Sequence, residues 1–236
     1  MLSWSVDESL TTCRLVTSVW SSSANPEPVD RVPQPMLRIR TAIRWAESKP
    51  SGDRFPLEVG VCCGTLSTGS GFALDDHTLV TNRHVVSDSS TLQLSTYDGR
   101  DIAAAAASTA GLADLAIVRT DDALPAAPEL AAADPAIGDL VTVVGYPLGR
   151  ALTVSTGQVL ASQTDPLNAN LGTVLVTDAP VEHGSSGSAV LDSDGRVVGV
   201  VYAKDSTGHS FVVPVSTLRA MLDDEASFTP AAPCSG

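Results

Sequence analysis

Three residues far apart in this chain have the types that together can cleave an acyl bond. Ser186 lies in Gly184-Ser185-Ser186-Gly187, a small-residue turn between apolar runs. Such a turn gathers a hydroxyl and main-chain N–H groups at one point. Acyl transfer needs both, a nucleophile to attack and donors to hold the oxyanion that forms. The hydroxyl also needs a base. His84, in Thr81-Asn82-Arg83-His84-Val85-Val86, carries an imidazole able to take a proton near neutral pH. The base in turn needs an orienting partner. Asp114 opens the apolar run Leu115-Ala116-Ile117-Val118, where a carboxylate is costly unless it is paired. The order His, Asp, Ser is one of three chain orders that distinguish unrelated serine-hydrolase folds. The competitors are less well placed. His77 falls in a hairpin turn and His209 in a glycine-rich turn, and Asp121 and Asp122 lie past the strand. His183, three residues before Ser186, is expected to line the substrate cleft.

These residues must be held by strands. From residue 55 onward the chain runs in short apolar segments broken by turns, as in Thr78-Leu79-Val80-Thr81 after Asp75-Asp76-His77. Strands are expected at 113–119, 140–146, 152–161, 174–178, 188–192, 196–203 and 211–215, a spacing that suggests a sandwich or barrels. Ala103 to Ala107 favours helix by composition, but closely bracketing turns make it a strand. The Pro/Ala-rich stretch 121–136 reads as a connector. Residues 36–48, with Leu37, Ile39, Ile43 and Trp45 among basic residues, read as a short helix ending before Pro50. Ser216 is expected to cap a last helix over 217–225, with an irregular tail from Thr229.

Four blocks in order, Gly69-Ser70-Gly71-Phe72, Thr81–Val86, Asp114–Val118 and Asp178-Ala179 through Gly184–Ser188, make the chain resemble trypsin-like serine proteases. The resemblance covers residues 64–217 and is strongest to the bacterial branch of HtrA-type and actinobacterial periplasmic acid-resistance proteases. It implies an all-β fold of two antiparallel six-stranded barrels, with a short N-terminal and a C-terminal helix. Residues 55–130 would form the first barrel and 131–228 the second with its helix, between an N-terminal linker with its short helix over 1–54 and a tail of 229–236. The family pattern Gly-x-Ser-Gly makes Ser186 the nucleophile, and the N–H groups of Gly184 and Ser186 the oxyanion donors. Pro180, six residues earlier, would floor the specificity pocket opposite Val201, Tyr202 and Ala203, giving a neutral, mainly apolar site for a protein or peptide substrate. Ser188 stands where many relatives have glycine. HtrA relatives carry a PDZ domain, for which the roughly 20 residues after Val215 leave no room, so a monomer is expected. The alternative to a peptidase is an inactive or latent module of the same fold. An α/β-hydrolase is disfavoured because Gly184–Ser188 lacks the final glycine and the histidine precedes the serine.

Composition narrows the partners. With 14 basic and 27 acidic residues the net charge is −13, which argues against nucleic acid and anionic membrane surfaces. No apolar run approaches a membrane span, and the first 25 residues lack a secretory signal pattern. No cofactor is called for, and Cys13, Cys62, Cys63 and Cys234 lack zinc-site spacing. Neighbours in a strand face opposite ways, so Cys62 and Cys63 are poorly placed to pair with each other and could take Cys13 and Cys234. The resemblance implies Cys63–Cys234. Disulfides and the family both point to a secreted, periplasmic or cell-envelope protein; the alternative is a cytoplasmic one.

Overall fold

The computed structural model describes residues 36–42, 67–87, 89, 91–124, 127–167, 169 and 172–231, with residues 36–42 described by their backbone. All four cysteines, and the pairings expected of them, lie outside the described residues.

The first sheet contains β1 (Met36–Ala42), β2 (Ser67–Ala73), β3 (Thr78–Thr81), β4 (Thr91–Thr96), β5 (Asp101–Ala110) and β6 (Ala116–Thr120). Neighbours pair antiparallel in the order β5-β4-β1-β2-β3-β6, and β6 pairs back onto β5. β5 manages this with both edges. Gln93↔Ala103 joins it to β4, while Ala104↔Thr120 to Thr109↔Ala116 join it to β6, with a bulge between Ala104 and Ala106. Alanine's helix preference loses to two sets of ladder bonds.

Residues 36–42 are a strand and not the expected helix. Leu37 and Ile39 alternate with Arg38 and Arg40, a period of two that suits a strand. β1 pairs with β2 on one side and β4 on the other, so the ring closes through it.

The second sheet is a closed barrel of β7 (Leu140–Gly145), β8 (Thr153–Thr164), β9 (Thr173–Thr177), β10 (Ala189–Leu191), β11 (Val197–Lys204) and β12 (Ser210–Pro214), ordered β10-β11-β12-β9-β8-β7. Its valine runs follow from burial on both faces. Val143, Val190, Val198, Val201 and Val212 cluster inside the barrel. Their neighbours Val144, Ala189, Val197, Val200 and Val213 join Phe72, Val80, Leu115 and Ile117 of the first sheet in a shared core. Alternation across a strand therefore sends consecutive valines into different cores. A third cluster fills the first barrel, with Leu79, Leu94, Ile102 and Val118 almost fully buried.

Two short helices complete the frame. α1 (Arg83–Val86) is a single turn after β3, anchored by buried Val85 and Val86. α2 (Val215–Asp223) starts two residues before the expected 217, with Pro214 at its N-cap. Ser216 does not cap it. Its hydroxyl and N–H both bond the Asp134 carboxylate, pinning the helix to the inter-barrel connector. The tail is not irregular throughout either: β13 (Phe228–Pro230) pairs with β5 across Phe228↔Ala110 to Pro230↔Ser108.

Candidate active site

His84 is placed by α1 and Asp114 by the turn before β6. Asp114 is almost fully buried. Its Oδ2 lies 2.5 Å from Nδ1 of His84, and its Oδ1 accepts the main-chain N–H of His84 at 3.0 Å. One carboxylate thus fixes both the ring and the backbone that carries it. Asn82 secures the other side, donating from Nδ2 to the Asp114 carbonyl at 2.7 Å. The His84 ring is half-exposed and faces a cleft of about 340 Å³ that Ser186 also lines.

The loop bearing Ser186 is set peptide by peptide. The His183 carbonyl accepts from the N–H of Leu148 at 2.5 Å, and that of Ser185 from Ser188 at 2.9 Å. The Gly184 carbonyl accepts from the Ser70 hydroxyl at 2.8 Å. The Ser186 carbonyl accepts from the Ser70 N–H at 2.7 Å. Of the loop's amides, Ser185 donates to the Glu182 carbonyl and Gly187 to that of Val201. Among the described residues, the N–H groups of Gly184 and Ser186 have no partner. Because a trans peptide directs its N–H opposite to its C=O, fixing the His183 and Ser185 carbonyls also fixes the directions of these two amides.

Glycine is required at two points in the loop. Gly184 has φ +91°, and a Cβ there would lie 2.8 Å from the N atom of Leu148. Gly187 has φ +86°, and a Cβ there would collide with the Ser70 carbonyl oxygen.

Two walls define the cleft. On one side are Val181, Glu182 and His183; on the other are Val201, Tyr202, Ala203 and Lys204 of β11. Pro180 lies one residue before the first of these walls. It lines an adjoining cavity of about 200 Å³ with Val143, Pro147 and Ser155, and its carbonyl accepts from the Ser155 hydroxyl at 2.7 Å. Asp178 caps the end of β9, accepting the N–H of Gln158 at 2.7 Å. His77 is exposed in the β2–β3 turn. His209 sits in the β11–β12 turn around Asp205, whose carboxyl the Thr207 hydroxyl above all lowers to about 2.

Two features of the cleft were not evident in the sequence. Lys204 Nζ bonds Glu182 Oε2 at 2.6 Å, joining the two walls. That bond, with the ammonium's charge, holds the Glu182 carboxyl below its usual range. The Tyr202 hydroxyl donates to buried Asp165 at 2.6 Å, fixing the ring that forms part of one wall. Neither pair has a spacing motif, since each joins loops through the tertiary fold.

Residues 69–200 match the family model described as a trypsin-like peptidase domain. The chain belongs to that family. It is 33% identical over 164 residues to the mitochondrial serine protease HTRA2 of Bos taurus, covering 66% of this chain and 36% of that protein. It is 30% identical over 167 residues to the serine endoprotease DegS of Escherichia coli K12, covering 66% and 47%. The chain thus spans less than half the length of these relatives. Among solved structures, the active form of the Rv3671c protease from M. tuberculosis superposes with a TM-score of 0.68 at 22% identity, over 94% of this chain and 97% of that one. An HtrA-type protease, AlgW with a tripeptide, superposes at 0.65 and 23% identity, over 84% and 63%. The structural likenesses show the trypsin-like fold shared by this domain.

Proposed function

We propose that this chain is a serine endopeptidase. The observation that carries the reading is a single cleft holding Ser186 and the carboxylate-bound imidazole of His84, beside two amides without a partner among the described residues. The Ser186 hydroxyl attacks the scissile carbonyl while His84 takes its proton. The negative oxygen of the tetrahedral adduct is held by the N–H groups of Gly184 and Ser186. As the adduct collapses, His84 protonates the leaving amine and an acyl-enzyme on Ser186 remains. A water, deprotonated by His84, then hydrolyses that ester and restores the hydroxyl. Asp114 holds the imidazole in the tautomer with a proton on Nδ1, and stabilises the imidazolium.

The substrate is an extended peptide laid along β11. Past Val201, whose carbonyl and N–H are bonded by Gly187 and Ser188, β11 has no partner on its β10 side among the described ladders, so main-chain groups near Ala203 are available to add a substrate strand. The side chain at the cleavage site enters a pocket walled by Val181, Val201, Tyr202 and Ala203, and we read its preference as neutral and apolar. Lys204 does not favour an acidic side chain there, because Glu182 already neutralises it. Pro180, expected as the pocket floor, lines the adjoining cavity, which shares Val181 and Glu182 with the cleft. Residues 55–130 together with β1 form the first barrel domain of this reading and 131–228 the second, with His84 and Asp114 on the first and Ser186 on the second. A monomer outside the cytoplasm is the corresponding setting.

Profiling against a peptide library tests the specificity. Cleavage after valine, alanine, leucine or similar residues is expected. Cleavage confined to Lys/Arg or to Glu would contradict the pocket assignment.

A further inference from the structure

Ser70 belongs to the block Gly69-Ser70-Gly71-Phe72, to which the peptidase chemistry assigns no task. It is fully buried in β2 of the first barrel, yet all its polar atoms serve the second barrel or the histidine segment. Its N–H donates to the Ser186 carbonyl at 2.7 Å. Its hydroxyl donates to the Gly184 carbonyl at 2.8 Å and accepts the N–H of Tyr146 at 2.8 Å. Its carbonyl accepts from the hydroxyl of Thr81, three residues before His84, at 2.7 Å.

We infer that the Ser70 side chain is a positioning residue for the oxyanion donors, an assignment that rests on the serine-peptidase reading above. The Gly184 carbonyl it holds belongs to the peptide between the two donor residues. Rotation of that peptide would turn both flanking amides, since they share its Cα atoms. The Ser70 hydroxyl holds it from the far side of the loop. Through Tyr146 the same hydroxyl also holds the start of the turn 147–149, whose Leu148 N–H anchors the His183 carbonyl. The His183 carbonyl is therefore tied to Ser70 through this turn, and the peptide joining the two donor residues is tied to it directly. Displacements of even 1 Å in such a constellation cost about 100-fold in rate. The hydroxyl does not touch substrate, so its effect falls on transition-state stabilisation and not on peptide binding.

The test compares Ser70→Ala with Ser210→Ala. Ser210 is also fully buried and also donates its hydroxyl to a backbone carbonyl, that of Ala179, at 2.7 Å. Three quantities are measured for each: kcat and KM on a good peptide, affinity for a peptidyl boronic acid that mimics the oxyanion adduct, and affinity for a non-covalent product peptide. Ser70→Ala is expected to lower kcat and boronate affinity by roughly 10- to 100-fold, with KM and product affinity changed by less than about twofold. Ser210→Ala is expected to lower thermal stability without that split. Ser70→Cys retains a weak donor and acceptor in a larger side chain and should fall between serine and alanine. Equal loss of boronate and product affinity in Ser70→Ala would overturn the assignment, as would a Ser70→Cys enzyme slower than Ser70→Ala. If Ser70→Ala does not fold, the Ser70→Cys enzyme alone decides by the same split. A wild-type chain unable to form the boronate adduct would instead overturn the peptidase reading, and this assignment with it.

Discussion

Asp114 is buried and accepts two donors from His84, the ring and the main-chain N–H. Replacing it by asparagine keeps the volume but offers an amide donor where the imidazole needs an acceptor. The histidine then settles in the wrong tautomer, and kcat should fall by about 10⁴-fold with little change in KM, as steady-state kinetics on Asp114→Asn would show. The pairing was legible because a carboxylate opening an apolar run needs a partner, and the order His, Asp, Ser supplied one. Glu182 and Lys204 had no such signal, being 22 residues apart and joined only when the nucleophile loop meets the end of β11. Their ion pair carries a pH prediction. The folded-state carboxyl of Glu182 is depressed, so the pair is intact above the ordinary glutamate value and is lost only as pH falls through the lowered one. The ratio of kcat/KM for valine over glutamate at the cleavage site should therefore stay level from pH 8 down to pH 5. Glu182→Gln frees the ammonium and should reduce that ratio by roughly fivefold at pH 7, measured with matched peptides. An unchanged ratio would remove Lys204 from the pocket's electrostatics.

The turn 184–187 is a backbone device, and its glycines are where substitution should be least tolerated. Gly187→Ala must adopt φ +86° and displace the Ser70 carbonyl. Loss of nearly all activity is expected from a protein whose circular dichroism stays native. In the strands, Leu79 is completely buried in the first barrel, and Leu79→Ala should cost about 2–5 kcal/mol in urea denaturation while the kcat of the folded fraction is kept. Strand positions were readable across the second barrel because its valine runs leave few other options. β1 was not, since Arg38 and Arg40 between apolar residues fit a short amphipathic helix as well as a strand. What decides is the gap between β2 and β4, which no local pattern reports. The same holds for Ser216, a good cap by type that is drawn instead to Asp134, distant in sequence.

The two barrels share one hydrophobic core, with Phe72, Val80 and Ile117 packed in the same cluster as Val144, Val200 and Phe211. This shared core couples the two barrels that carry the parts of the site. The chain returns to the first barrel at its end, where β13 pairs with β5. Deleting residues 225–236 removes that strand. It should lower the melting temperature measured by differential scanning fluorimetry, and expose the β5 edge to hydrogen exchange around Ser108. The central claim concerns the chemistry the shared core positions, and it is tested most directly by a fluorophosphonate probe on wild type beside Ser186→Ala. Covalent labelling of wild type, mapped to Ser186 and absent in the variant, is the predicted result. Equal labelling of both proteins, or of neither, would contradict an activated serine at this site.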